Sequence, residues 1–215
     1  MSEKNSAEYW DKNYQRCKDE DIMWTWDRQH NWKRILPIIL DNSTTTNSSL
    51  LDLGCGIGAF TKHIADKTKE NPFYSPFTKL VGIDRSGWAI NYANEHKGSL
   101  EEYKVGEVDA TGFDKNSFDV VTAHEILEHV PDPDVTLKAV VRVLNCTGIL
   151  VVTTPHDGCL GGEDEHCSEF THDSLYHLLI KYFRSVTFYE NIDWYPNDID
   201  GILVSMVAVG KGVRS

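Results

Sequence analysis

The chain has 215 residues, a length that a single α/β domain with one sizeable core often reaches. Its net charge of −12 and pI of about 5.1 disfavour nucleic acid as a partner, because an acidic surface repels phosphate backbones. No apolar run approaches the roughly 18 residues of a membrane span, and the N-terminus has no apolar signal core. The five irregularly spaced cysteines predict reduced thiols and a cytoplasmic location. The oligomeric state stays open.

The first 40 residues are predicted to be a helical section rich in aromatic side chains. Pro37 predicts a kink or an early end within a helix whose apolar face has four members: Trp32, Ile35, Leu36 and Leu40. The aromatics either cover the core or form a lid over a substrate, and both alternatives stay open. Residues 41–49 are predicted to be an unstructured polar linker. We therefore expect a helical cap and linker over 1–45 and the main domain over 46–215, which together make a single domain.

A glycine-rich turn follows the first predicted strand, Leu50–Leu53. Glycines occupy positions 54, 56 and 58, and a helix is predicted over 60–67. Glycine at a strand-to-helix turn permits positive φ angles and lets a ligand approach the main chain. Asp52 lies inside the apolar run, where an unpaired carboxylate is costly. We therefore expect Asp52 to pair with loop amides or a cationic ligand.

Two classes of ligand use such a turn. A dinucleotide places its pyrophosphate on the helix N-terminus, and its fingerprint G-x-G-x-x-G/A is formally matched by Gly54, Gly56 and Ala59. S-adenosylmethionine (SAM) instead carries a sulfonium and an amino group, for which a nearby acidic residue is chemically apt. A structural turn that binds nothing is the third alternative.

Asp84 follows the second predicted strand, Lys79–Ile83. An acidic residue at this point of a βαβ unit can accept hydrogen bonds from both ribose hydroxyls. Its distance from the glycines exceeds the roughly 20 residues typical of dinucleotide folds, and a plain surface acid is the alternative. Ser86 is predicted to cap the next helix.

The remaining pattern alternates strands and helices to the end of the chain. Asp132 is predicted to cap one helix, and Thr171 another over 172–182. Further strands are predicted over 103–108, 117–123, 148–154, 183–190 and 202–210. In an open α/β sheet, ligands bind beyond the carboxyl ends of the strands, where the chemically informative residues of five separate segments converge.

Three stretches of the chain resemble a known family. Residues 52–58 (DLGCGIG) and 82–93 (GIDRSGWAINYA) are similar to the first two motifs of class I SAM-dependent methyltransferases. Residues 124–133 (HEILEHVPDP) resemble the EVLEHVPDP signature of the ubiquinone-biosynthesis O-methyltransferases and related small methyltransferases. The resemblance implies a Rossmann-like α/β fold: a seven-stranded, mostly parallel sheet with helices on both faces, an antiparallel last strand and a helical N-terminal cap.

The resemblance also implies SAM as the cofactor, S-adenosylhomocysteine (SAH) as the product, and a small-molecule acceptor that is methylated on a hydroxyl. Asp109 would accept from the adenine amino group, as a carboxylate can, and His124 would touch the methionine part. The cofactor-binding set is Asp52, Gly54, Cys55, Gly56, Gly58, Asp84, Arg85, Asp109, Ala110 and His124. The alternatives are a small-amine N-methyltransferase, a metal-dependent RNA ribose methyltransferase, a non-catalytic SAM-binding subunit and an NAD-dependent oxidoreductase.

An E-x-x-E-H cluster follows the fourth predicted strand. If this cluster is helical, Glu125 shares a face with Glu128 and His129. Together with His166 these residues could bind Mg²⁺ or Mn²⁺. The bound ion would lower the pKa of a catechol-like hydroxyl. The set resembles that of the small-RNA 3′-terminal ribose methyltransferases. A plain capping and core role is the alternative. The catalytic candidates are His129, His156 and Glu128, and a zinc site is a further alternative over His156, Cys159, His166 and Cys167.

Overall fold

The computed structural model describes residues 5–19, 29–43, 47–70, 77–107, 112–155, 166–189 and 205–214. These residues form six helices and seven strands. In chain order they are α1 (Ala7–Asp19), α2 (Gln29–Asn42), β1 (Ser48–Leu53), α3 (Ala59–Glu70), β2 (Phe77–Asp84), α4 (Gly87–His96), β3 (Glu101–Val105), β4 (Phe118–His124), α5 (Pro133–Val143), β5 (Leu144–Pro155), α6 (His172–Leu179), β6 (Phe183–Tyr189) and β7 (Ser205–Val213).

The seven strands make one sheet in the order β3-β2-β1-β4-β5-β7-β6. Strands β1 to β5 pair in parallel, whereas β7 is antiparallel to both β5 and β6. The predicted fold class is therefore confirmed. The strand order reverses between β1 and β4, which is where an open sheet of this kind leaves a ligand crevice at the carboxyl ends of its strands.

Helices cover both faces of the sheet, which explains why the central strands are apolar on both sides. Side chains alternate along β1, so that Leu51 and Leu53 join one core while Leu50 joins the other. The first core is completed by α5 and α6, and the second by α2 and α3 through Ile39 and Ile64. The second N-terminal helix therefore packs into the core of the domain.

Three helix starts follow the predicted capping chemistry. Ser86 accepts a hydrogen bond from Ala89 N, Asp132 accepts from Asp134 N, and Thr171 forms a capping box with Ser174. These three predictions are confirmed. The caps could be predicted because a cap depends on the local sequence alone.

Several predicted boundaries are wrong. The linker over 41–49 is shorter, because α2 continues to Asn42, whose side chain donates to Ile38 O and to Tyr189 Oη, and β1 already begins at Ser48. The third strand covers Glu101–Val105 rather than 103–108, since it pairs with β2 from Leu80 onward. Helix α6 ends at Leu179 instead of residue 182. None of the described helices is long and apolar enough to cross a membrane.

Candidate functional site

The glycine turn joins β1 to α3 in a left-handed backbone conformation. Gly54, Gly56 and Gly58 have φ angles of 66°, 53° and 78°, a region that side chains with a Cβ rarely adopt. A Cβ on Gly54 would lie 1.8 Å from Ile126 Cδ1. The turn therefore packs directly against the segment after β4, and the two strongest sequence motifs meet in space.

Asp84 faces this turn from the end of β2. Its Oδ2 accepts from Gly56 N at 2.9 Å, and its Oδ1 accepts from Ser86 N at 2.8 Å. Burial raises the pKa of Asp84, and the two backbone donors oppose that rise. Each carboxylate oxygen keeps a lone pair, so that the group suits the two donors of a ribose diol at the edge of the turn.

Asp52 is held by side chains rather than by loop amides. Its Oδ1 accepts from Thr122 Oγ1 at 2.8 Å and its Oδ2 accepts from Thr61 Oγ1 at 2.9 Å. The expectation of amide partners is therefore wrong: β4 and α3 each place a hydroxyl beside the carboxylate. Burial raises the pKa of Asp52 to about 7, although both hydroxyls lower it. A cationic ligand would favour the ionised form.

The side chains of two other predicted cofactor-binding residues make contacts within the protein. The Cys55 thiol packs with Ile90 and Tyr103 behind the turn, where burial raises its pKa well above the ordinary value. The Arg85 guanidinium donates to the backbone carbonyl of Asn5. Their assignment to the cofactor-binding set stays a prediction.

The residues directly after β4 are not helical. Glu125 has a φ angle of 53° and donates its N–H to Thr153 O at 2.9 Å. The predicted helical face shared by Glu125, Glu128 and His129 is therefore wrong.

The ring of His124 packs edge-on against that of Phe60, with centroids 4.5 Å apart. Burial lowers the pKa of His124 to about 3, so that His124 is neutral at physiological pH.

Three of the four predicted metal ligands nevertheless come together. Glu128, His129 and His166 each offer one ligand atom, and these atoms lie within 4.8 Å of one another. The segment after β5 is held beside Glu128, whose backbone carbonyl accepts from Cys167 N at 2.6 Å and Ser168 N at 3.1 Å. The buried Glu128 carboxyl accepts from Thr154 Oγ1 at 3.0 Å. Burial, followed by the charge of Glu125, raises the pKa of Glu128.

The chemistry of this donor set decides which ion it fits. Two imidazoles and one carboxylate suit a first-row transition ion, whereas Mg²⁺ prefers oxygen ligands alone. Among the described residues, the arrangement therefore fits Mn²⁺ better than Mg²⁺. Glu125 is not one of the three clustered residues. Its negative charge affects the cluster by raising the pKa of Glu128.

The N-terminal segment crosses this region, a placement that sequence reasoning left open. Asn5 Nδ2 donates to His129 O at 2.9 Å, and Asn5 Oδ1 accepts from Trp10 Nε1 at 3.1 Å. The Trp10 ring stands edge-on to that of His129, with centroids 5.3 Å apart. The aromatic content of the segment was visible in the sequence, but its spacing does not say which ring reaches the site.

Four predicted residues lie outside the described part of the chain: Asp109, Ala110, His156 and Cys159.

The fold and the glycine turn define an α/β protein whose open sheet can bind a nucleoside beyond the carboxyl ends of its strands, where Asp84 faces the turn. The model of the family described as "Methyltransferase domain" matches residues 44–194, and the chain belongs to this family. The chain therefore has a methyltransferase domain, and this family favours SAM over a dinucleotide as the ligand of the turn.

Curated relatives agree with the family, and a solved structure shares the fold. The ubiquinone biosynthesis O-methyltransferase of Aromatoleum aromaticum is 29% identical over 60% of this chain and 56% of its own length. That of Pelagibacter ubique is 35% identical over 50% of this chain and 42% of its own length. A Haloferax volcanii methyltransferase, solved with the Trm112 methyltransferase activator, has a TM-score of 0.71 at 16% identity and covers 95% of this chain and 98% of its own. The chain thus spans about half the length of these two curated relatives.

Proposed function

We propose that this chain transfers the methyl group of SAM to a hydroxyl of a small, flat molecule, with catechol-like or quinone-related phenols as the reference acceptors. The observation that carries the proposal is the cluster of Glu128, His129 and His166. Glu128 and His129 lie on the segment that packs against the glycine turn through Ile126, and His166 approaches them from the segment after β5. The names of the ubiquinone biosynthesis O-methyltransferases support the same acceptor chemistry.

Methyl transfer is an in-line displacement at the sulfonium methyl, so that alignment of the two reactants provides much of the rate. In this proposal Asp84 and the glycine turn fix the nucleoside from one side. Trp10 and His129 border the acceptor from the other side, and an aromatic acceptor can pack against the indole ring.

A hydroxyl acceptor must also lose its proton. Glu128, His129 and His166 would hold a divalent ion, which when bound lowers the pKa of an acceptor hydroxyl. Without a bound ion, the imidazoles of His129 and His166 could instead accept the proton that the hydroxyl releases. The net charge of −12 opposes an RNA ribose as the acceptor.

The test is transfer of radiolabelled methyl from SAM to a panel of catechols, amines and a short RNA. The protein is first treated with EDTA, then given Mn²⁺ or Mg²⁺. We expect label on catechol hydroxyls, at least a tenfold loss after EDTA, and fuller recovery with Mn²⁺ than with Mg²⁺. Glu128→Gln should abolish the recovery. His172→Gln is the matched control, because His172 stacks on Phe188 away from the cluster.

Each part of the proposal can fail separately. Label that appears only on amines would contradict the hydroxyl acceptor, and label on RNA would contradict the small-molecule class. Activity that is unchanged by EDTA and by Glu128→Gln would contradict the metal. Binding of SAH without transfer to any acceptor would favour a non-catalytic subunit.

A further inference from the structure

Helix α1 brings one phenol directly against the glycine turn. A Cβ atom on Gly56 would lie 2.7 Å from Tyr14 Oη and 3.2 Å from Tyr14 Cζ. Only glycine therefore leaves room for this ring beside the backbone. Because Gly56 also donates its N–H to Asp84, the Tyr14 hydroxyl lies close to the carboxylate expected to hold the ribose.

The surroundings of this hydroxyl are acidic. Burial raises the pKa of Tyr14 well above its ordinary value, and the negative charges of Asp84 and Asp52 act in the same direction. The phenol therefore stays protonated and can donate. The two acids favour the cationic amino group of a SAM or SAH tail and repel its carboxylate. A neutral donor at this point would offer the tail carboxylate a hydrogen bond that the two ionised acids cannot provide.

The position of α1 is fixed by the same strand end that holds Asp84. Asp11 Oδ1 accepts from Ser86 Oγ at 2.5 Å and from Trp88 N at 3.0 Å, while Ser86 N donates to Asp84. Asp11 and Tyr14 are three residues apart on one helix and therefore share a face. One turn further along α1, Lys18 Nζ lies 5.7 Å from the ring centroid of Trp88, a cation–π distance.

We propose that Tyr14 is a further cofactor-binding residue, whose hydroxyl donates a hydrogen bond to the carboxylate of the cofactor's amino-acid tail, and that Asp11 is its positioning residue. The inference rests on the proposed function only in taking SAM and SAH as the ligands. It assigns a binding role to the N-terminal section, whose aromatics the sequence left between a core cover and a lid.

The experiment compares two ligands on three proteins by isothermal titration. SAH carries the amino-acid tail, whereas 5′-methylthioadenosine shares its nucleoside and thioether but has no tail. Tyr14→Phe removes only the hydroxyl, so we expect at least about a tenfold weaker SAH affinity, equivalent to about 1.4 kcal/mol. The affinity for methylthioadenosine should change less than about twofold. Tyr9→Phe removes a hydroxyl from the same helix and is expected to leave both affinities unchanged.

Unchanged SAH affinity in Tyr14→Phe, or an equal loss for both ligands, would overturn the proposal. Urea denaturation of the ligand-free proteins distinguishes a binding role of Tyr14 from a purely structural one. A purely structural role would lower the stability of Tyr14→Phe and leave its SAH affinity intact. Failure of the wild-type protein to bind SAH would instead contradict the proposed function.

The positioning role of Asp11 is tested in two backgrounds. Asp11→Ala should weaken SAH binding in the wild-type background and have little further effect in Tyr14→Phe, because its contribution acts through the phenol. The same loss in both backgrounds would contradict that role.

Discussion

Replacement of Asp52 by asparagine gives a change in stability whose size and sign can be worked from the structure. The Asp52 carboxyl is buried and accepts from Thr122 and Thr61. Its pKa is about 7 in the fold, against an ordinary value of 3.8. Asparagine keeps the shape and one acceptor oxygen but carries no charge, so that the pH-dependent part of its effect is the lost cost of ionisation.

The raised pKa determines the sign of the effect. Between about pH 4 and pH 7 the folded protein keeps a proton on Asp52 that the unfolded chain has released. The stability that Asp52 contributes is therefore fully present below the pKa of Asp52 in the unfolded chain. It is lost as the pH rises through the pKa of Asp52 in the folded protein. At about 1.4 kcal/mol per unit, ionisation costs about 1.5 kcal/mol near pH 5 and about 4 kcal/mol near pH 8.

The assay is urea denaturation of the ligand-free wild type and Asp52→Asn at about pH 5 and about pH 8. We expect the free energy of unfolding of the variant, relative to wild type, to increase by about 2.5 kcal/mol between these two conditions. Comparing the two differences cancels any effect of the amide that is independent of pH. Asp66→Asn is the control, because the Asp66 side chain is 46% exposed beside Lys62 and carries no comparable burial cost. A relative stability of Asp52→Asn that stays constant within about 0.5 kcal/mol would refute the reasoning.

Two further substitutions test the local structure. Gly54→Ala places a Cβ 1.8 Å from Ile126 Cδ1 at a φ angle of 66°, so we expect a loss of about 1–3 kcal/mol in stability and weaker SAH binding. Gly87→Ala, where nothing lies within 4 Å of the new Cβ, should change neither, and equal effects of the two substitutions would contradict the account of the turn. Asp132→Ala removes the side chain that accepts from Asp134 N at 2.9 Å and should lower the free energy of unfolding by about 1 kcal/mol, measured by urea denaturation. An unchanged midpoint would show that this cap contributes nothing.

The features that depend on neighbouring residues in the sequence were predictable. The strand before Gly54 is an apolar run, the glycines mark the turn, and Ser86 lies where a capping residue is expected. The orientation of Asp84 toward the turn followed from the topology of a parallel sheet, in which strand ends meet at one edge.

The features that depend on distant residues were not predictable. Asp52 is held by Thr122, which is 70 residues away, and no local pattern identifies that hydroxyl. The E-x-x-E-H spacing suggested a helix, but Glu125 adopts a left-handed backbone conformation, and its N–H bonds to a carbonyl of β5. Tyr14 reaches Gly56 from α1, which is anchored to the start of α4. Tertiary contacts decided each of these cases.

The central claim is that a SAM-type nucleoside binds at the glycine turn beside Asp84. The most direct measurement is a paired equilibrium titration of the wild-type protein with SAH and with NADH under the same conditions. The account predicts saturable, stoichiometric binding of SAH and no binding of NADH. Binding of NADH with no uptake of SAH would contradict it.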